Sequence, residues 1–166
     1  MLIGVISDTH GHPQFLLPAI DRLAERRVEA VLHCGDIGSA QIVQLLRAWP
    51  VHYVLGNCDP DREAPRLAAA MEPLGHTLHG RFGELELGGR QIALLHGDDE
   101  RLLRQVIVSG ERDLVCSGHT HVASCERRGR TLVLNPGALY RARPHKMAFV
   151  NLDDMSAEIV SLEGAE

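Results

Sequence analysis

Aromatic side chains are scarce in this sequence, where they make up 4% of 166 residues. Proteins that hold single-stranded nucleic acid usually stack its bases on aromatic rings set in a basic groove. This chain offers few rings, and its formal net charge is −5. We therefore do not expect nucleic acid among its partners, and a nuclease is one of the less favoured functions for this chain.

Long apolar runs and paired cysteines are also missing. No stretch approaches the roughly 20 apolar residues of a membrane span, and the opening MLIGVIS lacks the basic flank and cleavage site of a signal peptide. The four cysteines form no C-x-x-C pair, which favours reduced thiols. We expect a cytoplasmic protein without membrane contact. Its composition, 45% hydrophobic and 23% charged, fits one globular domain over residues 1–166.

The first third of the chain alternates short apolar runs with helical patterns. The runs at residues 2–7, 30–33 and 51–55 are typical of buried parallel strands. Leu16, Ile20 and Leu23 share one face of a first helix, and Ser39 is a candidate N-cap for a second. Pro18 leaves the start of the first helix open. The pattern predicts β-α-β-α-β with a parallel sheet, followed by a helix near 61–71.

The second half has the pattern of hairpins. Strand-like segments at 81–87 and 90–95 flank Gly88-Gly89, and a helix is expected near 100–108. Further strands are expected at 113–117, 122–127, 130–134, 147–152 and 157–162. A parallel half followed by an antiparallel half predicts an α/β protein with two packed sheets and helices on their outer faces.

Polar clusters follow five of these strands. They are Asp8-Thr9-His10, Gly35-Asp36, Gly56-Asn57-Cys58-Asp59, His96-Gly97 and Gly118-His119-Thr120-His121. Ligands of open α/β sheets bind beyond the carboxyl ends of the strands, so the clusters are placed to meet. A single one of them is more often a helix cap, a turn or a solvated histidine. Five together favour a binding site.

The candidate ligands combine two carboxylates, one amide oxygen and four imidazoles. They are Asp8, His10, Asp36, Asn57, His96, His119 and His121. This set has too much oxygen for structural zinc and too much imidazole for calcium, and it suits two transition-metal ions. In Asp8-x-His10 and His119-x-His121, side chains two apart on an extended chain would face one cavity.

In this order the five motifs resemble the signature of the calcineurin-like metallophosphoesterase superfamily. The segments at 7–11 and 135–137 are similar to its small YfcE-type phosphodiesterase branch. The resemblance covers about residues 1–162. It implies a four-layer α-β-β-α sandwich of two mixed β-sheets flanked by helices, the metallo-dependent phosphatase fold.

The resemblance also implies a dinuclear metal-dependent phosphoesterase, with a phosphodiesterase favoured. A small phosphate ester would be hydrolysed by in-line attack of a metal-bridging hydroxide. One metal ion falls to Asp8, His10, Asp36 and His121, and the other to Asp36, Asn57, His96 and His119. The implied catalytic residues are Asp36, Asn57, Cys58, Asp59 and His96. Manganese is expected first, with iron, nickel, zinc, cobalt or magnesium as alternatives.

Three positions bear on chemistry that the resemblance does not settle. Cys58 stands where most of the superfamily has a histidine that protonates the leaving oxygen, so a bias toward aryl esters is expected unless Cys58 only fills space. Asp59 is expected to orient a metal-ligand histidine or to cap a helix before Pro60. Asp99 is expected to be a helix N-cap.

Further alternatives stay open. A non-catalytic metal-binding scaffold, like the retromer subunit of this fold, is the second function considered, and a homodimer or homotetramer is compatible with the family. His12 and His33 adjoin the motifs and could support the ligands. Arg141 and Arg143 could meet substrate phosphate, although surface arginines are common.

Overall fold

The computed structural model describes residues 1–162, so the last four residues of the predicted domain 1–166 lie outside it. Four α-helices lie in the described part: α1 (Pro13–Glu25), α2 (Ala40–Leu45), α3 (Ala64–Met71) and α4 (Glu100–Ser109). Its strands are β1 (Leu2–Ile6), β2 (Ala30–His33), β3 (Val51–Tyr53), β4 (Thr77–Leu78), β5 (Phe82–Leu87), β6 (Arg90–Leu95), β7 (Leu114–Cys116), β8 (Ser124–Arg128), β9 (Thr131–Asn135), β10 (Lys146–Asn151) and β11 (Ser156–Ser161).

The strands form two mixed sheets, as predicted. One sheet has the order β11-β10-β1-β2-β3-β4, in which β1 to β4 run parallel, β10 is antiparallel to β1, and β11 is antiparallel to β10. The other has the order β5-β6-β7-β9-β8. The second half was expected to be antiparallel, which is confirmed for the pairs β5–β6, β8–β9 and β10–β11 but not for the centre of the second sheet. α4 returns the chain so that β7 runs parallel to β6, β9 is also parallel to β7, and β10 and β11 rejoin the first sheet.

Three apolar clusters stack the sheets and helices in four layers. Leu16 and Leu23 of α1, with residues of α2 and α3, pack on the outer face of the first sheet. Alternate residues of β1, Ile3 and Val5, face the second sheet instead, in the cluster between the two sheets. On the far side, Ile107 and neighbouring residues of α4 cover the second sheet. The predicted α-β-β-α sandwich is confirmed.

Local signals hold at some element ends and fail at others. Asp99 caps α4 by accepting a hydrogen bond from the Leu102 amide at 2.9 Å, as expected. Ser39 occupies the predicted N-cap position of α2, but within the described residues its side chain makes no capping hydrogen bond. Pro18 lies inside α1, which begins at Pro13. Gly88 and Gly89 have φ of 54° and 72° and form the predicted β5–β6 turn.

The four cysteines are free thiols, as predicted: Cys34 and Cys116 are buried, and Cys58 and Cys125 are exposed. Among the helices of residues 1–162, none is both long and apolar enough to cross a bilayer.

Candidate metal centre

The predicted ligands meet at one end of the two sheets. On one side of this centre, Asp8 follows β1 and meets two histidines. The Asp8 Oδ1 atom lies 3.2 Å from His121 Nε2 and 3.7 Å from His10 Nε2. These three side chains therefore converge on one point, although they come from opposite halves of the chain.

The other side of the centre continues from the same histidine. His10 Nε2 lies 3.5 Å from Asp36 Oδ2, and Asp36 Oδ2 lies 3.4 Å from His96 Nε2. The Asn57 Oδ1 atom is then 3.0 Å from His96 Nε2 and 3.1 Å from His119 Nδ1. A continuous series of short distances thus joins all seven predicted ligands, and Asp36 stands in the middle of it.

The backbone reaches this arrangement differently from the sequence-based expectation. Five of the seven candidates have φ between 47° and 66°, in the left-handed region; they are Asp8, His10, Asp36, His119 and His121. The extended Asp-x-His and His-x-His segments predicted from alternation are therefore wrong. Asp and His tolerate this region better than most residues. Backbone bonds from Asp8 N to Gly35 O (3.1 Å) and from His10 N to Asp36 O (2.8 Å) hold the turns in place.

Two glycines permit close approach of the loops at the centre. A β-carbon on Gly56 would overlap the Asp36 carboxylate, and one on Gly118 would overlap the Ser7 hydroxyl and lie 2.8 Å from Asp8 Oδ2. Both contacts require that no side chain be present. The loops that contain Gly56 and Gly118 therefore pack directly against the carboxylates of Asp36 and Asp8, two of the candidate ligands.

Carbonyl oxygens orient two of the imidazoles. His96 Nδ1 lies 2.8 Å from Cys34 O, and His121 Nδ1 lies 3.3 Å from Arg141 O. A carbonyl only accepts, so each Nδ1 carries a proton and donates it. In the neutral ring each Nε2 atom then carries a lone pair and can only accept, yet it faces a carboxylate or amide oxygen, which is also an acceptor. Facing acceptors repel one another unless a cation, either a proton or a metal ion, lies between them. The mixed oxygen and imidazole donors fit divalent metal ions.

Buried polar atoms at the centre point to the same requirement. Asp8 Oδ1 and His10 Nε2 are buried and make no hydrogen bond within residues 1–162. Although burial opposes the shift, the nearby imidazole of His10 keeps the pKa of Asp8 below its usual value. The Asp8 carboxylate raises the pKa of His10, and Asp36 raises the pKa of His96 against the effect of burial. Protons would therefore compete with metal ions for these imidazoles.

Cys58 lies at the edge of the centre. Its Sγ, His10 and Asp36 offer atoms that all lie within 4.8 Å of one another, so the thiol is also a candidate ligand that sequence reasoning missed. Burial and the neighbouring Asp36 carboxylate raise the pKa of the Cys58 thiol. Before metal binds, the sulfur therefore stays protonated near neutral pH.

Within residues 1–162 the Asp59 carboxylate makes no hydrogen bond to a histidine, so the expectation that it orients a metal-ligand histidine is wrong. Its carboxylate is 1% exposed and accepts three backbone hydrogen bonds. These come from Ile37 N (2.9 Å), Gly38 N (2.9 Å) and Gly56 N (3.0 Å). Asp59 thereby ties the loop that carries Asp36 to its own loop, which carries Asn57.

His33 forms hydrogen bonds with Thr9 and Gly35, the neighbours in sequence of the candidate ligands Asp8 and Asp36. The Thr9 hydroxyl donates to Ile37 O at 3.0 Å, so His33 Nε2, at 2.9 Å from the same hydroxyl, donates to it. The Gly35 amide donates to His33 Nδ1 at 3.3 Å. Both ring nitrogens are thus satisfied in the neutral form, and burial lowers the pKa of His33 to about 4. His12 instead stacks on Tyr140, a residue that no sequence motif singled out.

Known proteins resemble this chain in sequence and in fold. The Calcineurin-like phosphoesterase superfamily domain matches residues 1–155. A phosphodiesterase of Methanocaldococcus jannaschii is 30% identical over 138 residues, which cover 82% of this chain and 83% of the relative. A solved archaeal phosphodiesterase superposes with a TM-score of 0.89 at 26% identity, covering 97% of this chain and 99% of its own.

Two further solved structures show the fold at lower identity. The phosphoesterase YfcE from E. coli has a TM-score of 0.67 at 20% identity and covers 98% of this chain and 100% of its own. Vps29 of Entamoeba histolytica, complexed with zinc, has a TM-score of 0.68 at 22% identity, with the same coverage.

Proposed function

Because this chain belongs to the calcineurin-like phosphoesterase superfamily, as its motifs predicted, we propose that it is a dinuclear metal-dependent phosphodiesterase acting on a small phosphate ester. The relative from Methanocaldococcus jannaschii, named a phosphodiesterase, supports the choice of a diester. The observation that carries the proposal is the position of Asp36 Oδ2, which lies between His10 Nε2 at 3.5 Å and His96 Nε2 at 3.4 Å. We further propose that the protein acts in the cytoplasm as one domain.

In this proposal Asp36 is shared by two ligand groups. Asp8, His10 and His121 complete one group, and Asn57, His96 and His119 complete the other. Manganese is the first candidate, since oxygen and imidazole donors are mixed, and iron, nickel, zinc, cobalt and magnesium are the alternatives. Two such ions, when bound, would polarise the ester and lower the pKa of water so that hydroxide attacks phosphorus in line.

The chain's own residues would orient the ligands and supply a proton. The Cys34 and Arg141 carbonyls fix the rings of His96 and His121 with Nε2 turned toward the carboxylates. The Cys58 thiol lies beside Asp36 and would be the proton donor to the leaving oxygen. A thiol is a poorer donor than imidazolium near pH 7, so aryl esters, whose leaving groups need little protonation, should be favoured.

The decisive experiment compares the wild-type protein with Asp36→Asn after each is loaded separately with each of the six metals. Phosphomonoesters, phosphodiesters and cyclic nucleotides are assayed in parallel. We expect wild-type turnover to be highest with a nitrophenyl diester and manganese, and Asp36→Asn to lose at least roughly 100-fold. Asp21→Asn, on the exposed face of α1, is the matched control and should keep full activity. Full activity in Asp36→Asn would overturn the ligand assignment.

A non-catalytic metal-binding scaffold is the second candidate, because the zinc-bound Vps29 structure shares the fold. The scaffold would bind metal through the same side chains and show no turnover with any ester and any of the six ions. Metal content measured on the same samples separates the two functions. An inactive protein that still holds two ions per chain would favour the scaffold.

A further inference from the structure

A surface pocket of about 510 Å³ adjoins the metal centre. It is lined by Phe15, Tyr140, Arg141, Ala142, Arg143 and His145. Its size falls within the range of roughly 300–1,000 Å³ that is typical of small-molecule sites. The proposed ligands do not line this pocket, so its residues need a separate explanation.

One wall of the pocket is aromatic and continuous with the metal centre. The Tyr140 ring stacks on His12 at a centroid distance of 4.0 Å and lies 5.5 Å from Phe15. Its centroid is also 5.6 Å from the ring of His10, one of the proposed ligands. The Tyr140 amide donates to Asp8 O at 3.0 Å, which fixes the ring beside the centre. A group attached to a phosphate at the centre could therefore reach this wall.

The aromatic wall is unusual for this chain, which has only six Phe, Tyr and Trp residues. The core takes most of them: Tyr53 and Phe149 are buried, and Trp49 and Phe82 pack against the apolar clusters. Tyr140 is half-buried and belongs to none of these clusters. The core therefore does not account for its ring.

The other wall of the pocket is cationic. The Arg141 guanidinium carbon lies 5.3 Å from the Tyr140 ring centroid, and the Arg141 carbonyl accepts from His121. Both Arg141 and Arg143 are exposed, and within residues 1–162 neither pairs with a carboxylate. Other arginines of this acidic chain, such as Arg26 and Arg130, do form such pairs. Two unpaired cations beside an aromatic wall are suited to an anion that also carries a ring.

We propose that this pocket, here called the Tyr140 pocket, binds the non-reacting part of the substrate and selects phosphate esters that carry an aromatic ring and a second negative charge, as nucleotides do. The inference rests on the phosphoesterase function proposed above. The inference adds a substrate class to that function. Tyr140 stacks on the aromatic ring of the substrate, and Arg141 and Arg143 neutralise its second negative charge.

The test uses three diesters that release the same nitrophenolate. They are methyl 4-nitrophenyl phosphate, thymidine 5′-(4-nitrophenyl phosphate), and the latter compound with a 3′-phosphate. Because the leaving group is constant, ratios of kcat/KM report the Tyr140 pocket rather than the chemistry. We expect the wild type to prefer the thymidine ester to the methyl ester by about tenfold or more. The 3′-phosphate should add roughly fivefold, which high salt removes.

Three variants divide the contributions. Tyr140→Leu should abolish most of the preference for the thymidine ester over the methyl ester, and Arg143→Ala should abolish the gain from the 3′-phosphate. Arg101→Ala removes an exposed arginine of α4, outside the Tyr140 pocket, and should change neither ratio. Binding of thymidine 3′,5′-bisphosphate to the metal-free proteins, measured by calorimetry, gives a readout without turnover. Tyr140→Leu and Arg143→Ala should both weaken it.

The outcomes separate this inference from the proposed function. If no ester is hydrolysed with any metal, the proposed function fails and the inference fails with it. If all three esters are hydrolysed but the ratios are the same in the wild type and the variants, the phosphodiesterase stands and the Tyr140 pocket is overturned as a subsite. Equal loss of activity on every ester in Tyr140→Leu would show a merely structural role for that ring.

Discussion

Replacement of Asp59 tests whether this carboxylate holds loops together or takes part in chemistry. In the structure it accepts backbone hydrogen bonds from Ile37, Gly38 and Gly56 at 2.9–3.0 Å and is 1% exposed. Asp59→Ala would leave three buried N–H groups without an acceptor. Asp59→Asn would keep an oxygen for two of the amides and place an NH2 group against the third.

The magnitudes follow from the number of bonds that are lost. An unsatisfied buried donor costs about 1–3 kcal/mol, so Asp59→Ala should lose about 3 to 6 kcal/mol of unfolding free energy after partial relaxation. A domain is typically stable by only about 5–15 kcal/mol, so the alanine variant would be marginal. Asp59→Asn loses one acceptor and should cost about 2 kcal/mol, which leaves a folded protein for kinetics.

Urea unfolding of the metal-free proteins measures the change in unfolding free energy. Metal titration followed by kinetics measures the changes in metal affinity and in kcat. Asp59→Asn should bind metal about tenfold more weakly, because the loops that carry Asp36 and Asn57 are less well fixed. Its kcat at saturating metal should stay within about threefold of the wild type. Asp61→Asn is the matched control, since its side chain is 83% exposed and its ion pair with Arg81 contributes less than about 1 kcal/mol.

Two results would refute this reasoning. If Asp59→Asn and Asp59→Ala unfold with the wild-type free energy, the three hydrogen bonds do not tie the loops. If Asp59→Asn binds metal normally but loses kcat at saturating metal, the carboxylate takes part in the reaction, as its inclusion among the catalytic candidates assumed.

Three further predictions concern other residues of the centre. Gly118→Ala forces a β-carbon against Ser7 and Asp8, so its metal affinity, measured by titration, should fall at least about tenfold, and wild-type affinity would contradict the close packing. Burial lowers the pKa of His33 from 6.5 to about 4, so the unfolded chain binds a proton that the folded protein excludes. Stability should therefore fall by about 3 kcal/mol as the pH drops from 6.5 to 4, and His33→Gln should flatten that part of the urea-derived profile. Cys58→His supplies a better proton donor, so the ratio of alkyl-ester to nitrophenyl-ester turnover should rise; an unchanged ratio would favour Cys58 as a filler.

Much of the fold was predictable because its signals are local. The apolar runs of β1, β2 and β3, the Gly88-Gly89 turn and the Asp99 cap each act over a few residues, and the structure contains all of them. Ser39 occupies its predicted N-cap position, but its hydroxyl is buried and has no hydrogen-bond partner within residues 1–162, which depends on its tertiary surroundings. The sheet that β10 joins also depended on its pairing with β1, about 145 residues away in sequence, and β11 joins that sheet through β10.

The side chains of the candidate metal centre were predictable from the sequence, because metal ions bind only certain side-chain types and the strand ends limit where such side chains lie. The seven candidate ligands were therefore identifiable from residue type and order alone. Tertiary structure decided three other features of the centre. They are the left-handed backbone of the ligands, the hydrogen bonds by which Asp59 joins two loops, and the position of Tyr140 beside His10. Each of these depends on loops brought together by the packing of two sheets, and sequence spacing does not encode distances between such loops.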